Sequence, residues 1–331
     1  MRVLAGDVGG SKTLIQVADY ADNRWHVIAN ARYDNRDYSS FGALLEKFCA
    51  SESKSCSTIA AVGLALAGPV NDDKVQLTNL PWLIDIELLQ RRFATQQVRL
   101  INDMQGAGYG IASIERSDLL VLNAGEPVTH GVCGLIGAGT GLGEALMVWH
   151  DGRYEVHAGE GGHVDFAPRD EFELDLLVYL RAKLERVSYE HLLCGAGLVR
   201  IFEFMIEHSG GLVSPGLMGD LSHQDAAAVI CEYALNSKSA KAWSALERFI
   251  RIYGAQAGNL ALTLGARGGI YVVGGIAPKI CAAFRTAGFM TAFQANSTMS
   301  EFLARIPVTV VLDPNVALFG ARAVAQRSCL N

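Results

Sequence analysis

The chain has 331 residues, half of them hydrophobic, and a formal net charge of −6. That length is long for a single core, so two domains sharing a cleft are expected, with enough apolar residues to bury a sizeable interior. The acidic balance supplies no basic field to gather nucleic acid or an anionic membrane surface, which leaves a small molecule as the expected partner.

Val3 to Gly6 is short and apolar and reads as a strand. Asp7-Val8-Gly9-Gly10-Ser11-Lys12-Thr13 is turn-rich, Leu14 to Asp19 alternates as a returning strand, and Trp25 to Tyr33 completes a meander. Phe41 to Cys49 has helical spacing, and Thr58 to Ala67 is a buried strand. Val98 to Ile101 is another strand, ending at Asn102-Asp103. Strands and helices alternate, which is the mark of an α/β protein.

The opening device then recurs. Gly131 to Ile136 is apolar, Gly137-Ala138-Gly139-Thr140-Gly141-Leu142-Gly143 turns, and Glu144 to His150 returns as a strand. Two glycine-rich hairpins are what a duplicated nucleotide-clamping fold needs; the alternative is two unrelated tight turns. From Asp170 a helix is expected with Phe172, Leu176, Leu177, Leu180, Leu184 and Val187 on one face, and Asp170 with Glu173 as an acidic capping box. Ser188 reads as a fresh cap that puts Glu190 in the first turn of a second helix, closed by Gly195 and Gly197. Trp243 to Leu264 is a long helix, Ile270 to Val273 a strand meeting Gly274-Gly275, Val308 to Leu312 a strand, and Asn315 to Gln326 a final helix expected to pack back on the N-terminal domain.

Seven cysteines are scattered without CxxC pairing or clustered histidines, which argues against a disulfide framework or a zinc site and for reduced, cytosolic thiols. The first apolar run breaks at Asp7, too soon for a signal peptide. Ile59 to Val70 is interrupted by glycines and is too short to span a bilayer, so no membrane helix is expected.

Glycine-rich hairpins suit a triphosphate because backbone amides approach its oxygens with no Cβ in the way. Asp7, at a strand end, adds a hard oxygen for magnesium or its waters. The Gly137 to Gly143 run is not a Walker loop, since no Gly-Lys-Ser/Thr ends it, and a strand rather than a helix follows, against a dinucleotide fingerprint. Asn102-Asp103 lies where a strand meets a helix, a place for site residues in open α/β sheets and equally for an N-cap, which position alone favours. Glu160 and His163 sit among glycines in Gly159-Glu160-Gly161-Gly162-His163, as in a rigid polar loop; a structural histidine is the plainer alternative.

Taken in order, these motifs resemble the bacterial glucokinase family, within the sugar kinases related in fold to hexokinase and actin. The resemblance runs almost end to end and rests on Asp7-Val8-Gly9-Gly10, Leu100-Ile101-Asn102-Asp103, Gly137 to Gly143, Gly159-Glu160-Gly161-Gly162-His163-Val164-Asp165-Phe166, Glu190 with Gly195-Ala196-Gly197-Leu198, and Gly274-Gly275-Ile276. It implies two domains of duplicated actin-like (ribonuclease H-like) α/β fold with a cleft between them, 1–112 plus 315–331 and 113–314. It further implies transfer of a phosphoryl group from ATP, with Mg2+, to the 6-hydroxyl of D-glucose. Asn102, Asp103, Glu160, His163 and Glu190 would bind the sugar, with Asp103 as general base. Asp7, Gly9, Gly10, Ser11, Lys12 and Thr13 would face the phosphates and magnesium, Gly139-Thr140 the transferred group, and Gly274-Gly275 the adenosine. A cytoplasmic homodimer fits the family.

The chain departs from the commonest pattern at Ser11-Lys12, Ala67-Gly68-Pro69, Met104 and Gly195-Ala196-Gly197. Ser11 keeps a hydroxyl for phosphate; Lys12 leaves the detail of that loop open. Other readings are a kinase for another hexose or amino sugar, such as mannose or glucosamine, and a sugar sensor without catalysis. Asp7 and Asp103 speak against the sensor.

Overall fold

The structure, a computed structural model, describes residues 1–70, 73–77, 80–210, 213–286 and 288–330. It forms two compact units, one of Met1–Glu115, Glu155–Ala158 and Asn315–Asn331, the other of Arg116–Tyr154 and Gly159–Pro314; Asn331 itself lies outside the described residues.

The first unit is built on β1 (Arg2–Val8), β2 (Lys12–Ala21), β3 (Arg24–Asp34) and β4 (Ala61–Leu66). A small hairpin of β5 (Lys74–Gln76) and β6 (Leu83–Asp85) precedes β7 (Val98–Asn102). The main sheet has the order β3-β2-β1-β4-β7, with β1 antiparallel to β2 and parallel to β4. All six residues of β4, Ala-Val-Gly-Leu-Ala-Leu, are buried, as a central parallel strand covered on both faces requires. One face packs on α1 (Phe41–Ser51), whose Phe41, Leu44 and Phe48 meet Leu4, Val17 and Leu64. Burying each such side chain is worth about 1.5–3 kcal/mol. The hairpin leads into α2 (Ile86–Phe93), and β7 into α3 (Asp103–Gly110). The other face carries the C-terminal helix Val316–Ser328, expected from the sequence to return to this domain.

The second unit repeats the plan. The strands of the second sheet are β8 (Leu119–Asn123), β9 (Cys133–Ala138), β10 (Leu142–His150), β11 (Arg153–Gly159), β12 (Gly269–Val273) and β13 (Val308–Val311). Their order is β11-β10-β9-β12-β13-β8, so the first five follow the order of the first sheet and β8 adds an antiparallel edge. Here β9 is antiparallel to β10 and parallel to β12. The helices are α4 (Glu171–Arg181), α5 (Gly195–Ser209), α6 (Pro215–His223), α7 (Ala226–Leu235) and α8 (Ala240–Leu264), followed by short turns of helix. Ile201 and Phe202 of α5 and Phe249, Ile250 and Tyr253 of α8 form the core with Ile136 and Val272. Among the described residues no helix is long and apolar enough to cross a membrane.

Local details correct the sequence expectations. The Asp7–Thr13 passage is a turn only at its centre: Asp7 pairs with Leu14 and Ala65, and Val8 with Thr13, so strand pairing reaches further than the glycines suggest. The helix from Asp170 ends at Arg181, not Val187. An extended pairing wins there: Phe166 N donates to Val187 O at 3.0 Å, and Asp165 bridges Ser188. Asp170 does cap Glu173 N at 2.8 Å, but Glu173 reaches back to Arg169 N rather than to the cap residue. Glu190 lies in a three-residue 3₁₀ turn, Tyr189–His191, instead of a full helix. Gly195 and Gly197 open α5 instead of closing the preceding element, because a Cβ at Gly197 would lie 2.2 Å from Leu192 O.

Candidate active site

In the first unit, Gly9 N donates to Lys12 O at 3.0 Å and closes the β1–β2 turn. Asn35, 1% exposed, holds both ends of it: its Nδ2 donates to Gly9 O at 2.8 Å and its backbone N to Ser11 O at 2.9 Å. The Thr13 hydroxyl, fully buried, donates to Asn35 Oδ1 at 2.7 Å. Thr13 therefore braces the loop from inside through its side chain. Ser11 and Lys12 are exposed, with Gly9 and Gly10 half-buried.

Asn102 ends β7 and caps α3. Its Oδ1 accepts from Met104 N at 2.8 Å, its Nδ2 donates to Gly68 O at 3.0 Å, and its own N donates to Gln105 Oε1 at 3.0 Å. Both readings of this position are thus compatible with one residue: the cap uses one lone pair of the amide oxygen and leaves another. Asp103 is the first residue of α3, where the positive end of the helix dipole favours a carboxylate. The Asp7 carboxyl is pushed up to about 7, first by burial, then by the negative charge of Asp103, against a downward pull from Arg32. A cation beside both carboxylates would relieve that repulsion.

In the second unit, the β9–β10 turn has Gly139 N donating to Gly141 O at 2.9 Å, and Gly139 O accepting from Gly195 N at 3.1 Å at the start of α5. The Thr140 side chain is exposed at its tip. Cys194 is buried and caps α5, its Sγ accepting from Gly197 N at 3.3 Å. Val273 pairs with Gly137, so the Gly274-Gly275 turn leaves β12 beside the β9–β10 turn. Gly274 has φ +91, and a Cβ there would lie 2.6 Å from Ala138 O, so only glycine fits.

Glu160, His163 and Glu190 come together here. His163 Nε2 lies 3.8 Å from Glu160 Oε2, and its Nδ1 3.7 Å from Glu190 Oε1. Glu160 and His163 are largely exposed, whereas Glu190 is two-thirds covered and accepts Leu142 N at 3.0 Å. Two carboxylates flanking an imidazole give acceptors and one donor at hydroxyl-reading range.

Sequence inspection missed two supports. Asn35 is one, with a partner at Gly9 that no local pattern indicates. The other is a buried acid, Glu144 on β10, whose Oε1 accepts from Gln256 Nε2 at 2.9 Å and whose carboxyl is pushed up by burial.

The glucokinase family model matches residues 4–328. A glucokinase from Nostoc punctiforme is 36% identical over 98% of this chain and 99% of its own length. The crystal structure of a glucokinase from an Antarctic psychrotroph is similar with a TM-score of 0.82 and 27% identity, covering 98% of this chain and 99% of that one. A ROK family glucokinase from Streptomyces griseus, solved in complex with glucose and AMPPNP, shares the fold with a TM-score of 0.68 at 19% identity, over 99% of this chain and 100% of that one.

Proposed function

The chain belongs to the glucokinase family, and on that premise we propose that it transfers the γ-phosphoryl group of ATP to the 6-hydroxyl of D-glucose, giving glucose 6-phosphate and ADP. The observation that carries this is the grouping of Glu160, His163 and Glu190 around one imidazole, in a chain matched almost end to end by glucokinases. Such groups discriminate hydroxyl by hydroxyl, because a sugar lacking one leaves a polar partner in the complex unpaired.

Asn102, Asp103, Glu160, His163 and Glu190 are the residues we assign to the sugar. Asp103 takes the proton of the 6-hydroxyl as its oxygen attacks in line; phosphoryl transfer needs positioning and charge neutralisation more than covalent help. Backbone amides of Gly9 to Lys12 and of Gly139-Thr140 hold phosphate oxygens, and Gly274-Gly275 lies against the adenosine. Asp7 is the carboxylate for magnesium, directly or through water. The donor set fits, since magnesium takes one or two carboxylates and completes its shell with phosphates and waters. When bound, it neutralises phosphate charge. The same proposal includes a homodimer in the cytoplasm.

The test is a coupled assay for ADP with ATP, magnesium and a hexose panel. Glucose-dependent ADP formation with a higher kcat/KM for glucose than for mannose or glucosamine is expected. No sugar-dependent ADP, or a preference for another hexose, would reject the assignment.

A further inference from the structure

Against the Gly159–His163 loop lies a run of hydrogen bonds to which phosphoryl transfer assigns no task. It starts at Glu144, 5% exposed, whose Oε1 accepts from Nε2 of Gln256, itself 4% exposed, at 2.9 Å. Gln256 Oε1 accepts from Asn259 Nδ2 at 3.1 Å, and the same amide donates to the Tyr189 hydroxyl at 3.1 Å. Tyr189 is 3% exposed and directly precedes Glu190, while Asn259 is solvent-accessible. At the other end, a Cβ built on Gly161 would lie 1.9 Å from Glu144 Oε2, so the carboxyl group packs directly on the backbone between Glu160 and His163. Burying an acid with one neutral partner costs stability that an apolar side chain of similar size would not.

We propose that Glu144 is a positioning residue for sugar recognition: through Gly161 it fixes Glu160 and His163, and through Gln256 and Asn259 it holds Tyr189, and with it Glu190. One buried carboxyl then sets the spacing among the three hydroxyl-reading side chains. This rests on the assignment of those side chains to glucose.

Steady-state kinetics and glucose calorimetry on the wild type, Glu144→Ala, Glu144→Gln and Asn259→Ala test it. Glu144→Ala is expected to raise the glucose KM about tenfold or more, with kcat and the ATP KM within about threefold, because small misplacement of binding groups is amplified. Glu144→Gln keeps the shape and an oxygen toward Gln256, and should return the glucose KM to within about threefold of wild type. Asn259→Ala cuts an accessible link with little risk to folding, and should raise the glucose KM about threefold. A folded Glu144→Ala protein with an unchanged glucose KM, or with the ATP and glucose constants rising together, would overturn the proposal. If Glu144→Ala fails to fold, an unchanged glucose KM in Asn259→Ala does so instead. A wild-type protein that neither binds nor phosphorylates glucose would remove the functional assignment first, and this inference with it.

Discussion

The Glu190 carboxylate accepts the backbone N–H of Leu142 at 3.0 Å, and a Cβ on the preceding Gly141 would lie 2.4 Å from the same Oε2. A side chain assigned to the sugar is therefore fastened to the turn assigned to the transferred phosphoryl group, and glycine at 141 is what lets it approach. Gly141→Ala should displace Glu190 rather than unfold the protein, because the colliding atom is the end of a side chain. The glucose KM is expected to rise roughly tenfold, or about 1.4 kcal/mol, with the melting temperature little changed. An unchanged glucose KM would show that Glu190 does not read the sugar.

Asp103 is the first residue of α3 and the Asn102 cap stays in place when it changes, so Asp103→Asn should fold. It removes the base and keeps the shape. Turnover should fall about 10²–10⁴-fold, while glucose affinity by calorimetry stays close to wild type. Near-normal kcat in the purified, folded variant would take the general-base role away from this residue.

What the sequence made legible was what is encoded locally. The two glycine hairpins, the strand ending at Asn102 and the long helix through Tyr253 all follow from short-range period and turn chemistry, and the structure contains each. The sequence did not show conformations set by distant partners. Gly195 and Gly197 look like helix stops, yet both open a helix, and Gly197 serves close approach there to the Leu192 backbone. Thr13 looks like part of a phosphate loop, and its hydroxyl turns inward to Asn35, 22 residues away. Glu144 and Gln256 are 112 residues apart, so no window of sequence joins them.

Asp7 gives the protein a pH signature. Its folded pKa, about 7, stands above the ordinary aspartate value of 3.8, so between those values the folded state holds more proton than the unfolded chain. Stability from this group is complete below the lower value and is lost as pH rises through the upper one. Metal-free protein should melt at falling temperature from about pH 5 to 8, and Asp7→Asn should flatten that slope. Magnesium with nucleotide should stabilise the wild type increasingly over the same range, since the cation competes with the proton. Parallel melting profiles for wild type and Asp7→Asn would dismiss the coupling.

Asn35 holds the β1–β2 turn at Gly9 and Ser11 from a fully packed position. Asn35→Ala removes the donor to Gly9 O and leaves the buried Thr13 hydroxyl without its partner, a loss of about 1–3 kcal/mol. The ATP KM should rise about tenfold, with glucose affinity measured without nucleotide unaltered. Equal weakening of both substrates would mean that the residue serves the whole unit rather than the turn.

The C-terminal helix lies so close to α3 that side chains are excluded between them. A Cβ at Gly110 would come 1.9 Å from Val316 O, and one at Gly320 1.8 Å from Gly106 O. These obstacles are backbone, which cannot rotate aside, so Gly110→Ala must push the helices apart at a cost of about 1–3 kcal/mol or more. Because Asp103 heads the displaced helix, kcat should fall along with the melting temperature. Gly219→Ala on α6 is the contrast: a Cβ there meets nothing within 4 Å, and alanine should stabilise by about 0.5–1 kcal/mol with kcat unchanged. Thermal melts and turnover measured on both variants decide the matter. Gly110→Ala behaving like Gly219→Ala would mean that the position of Asp103 does not depend on this helix contact.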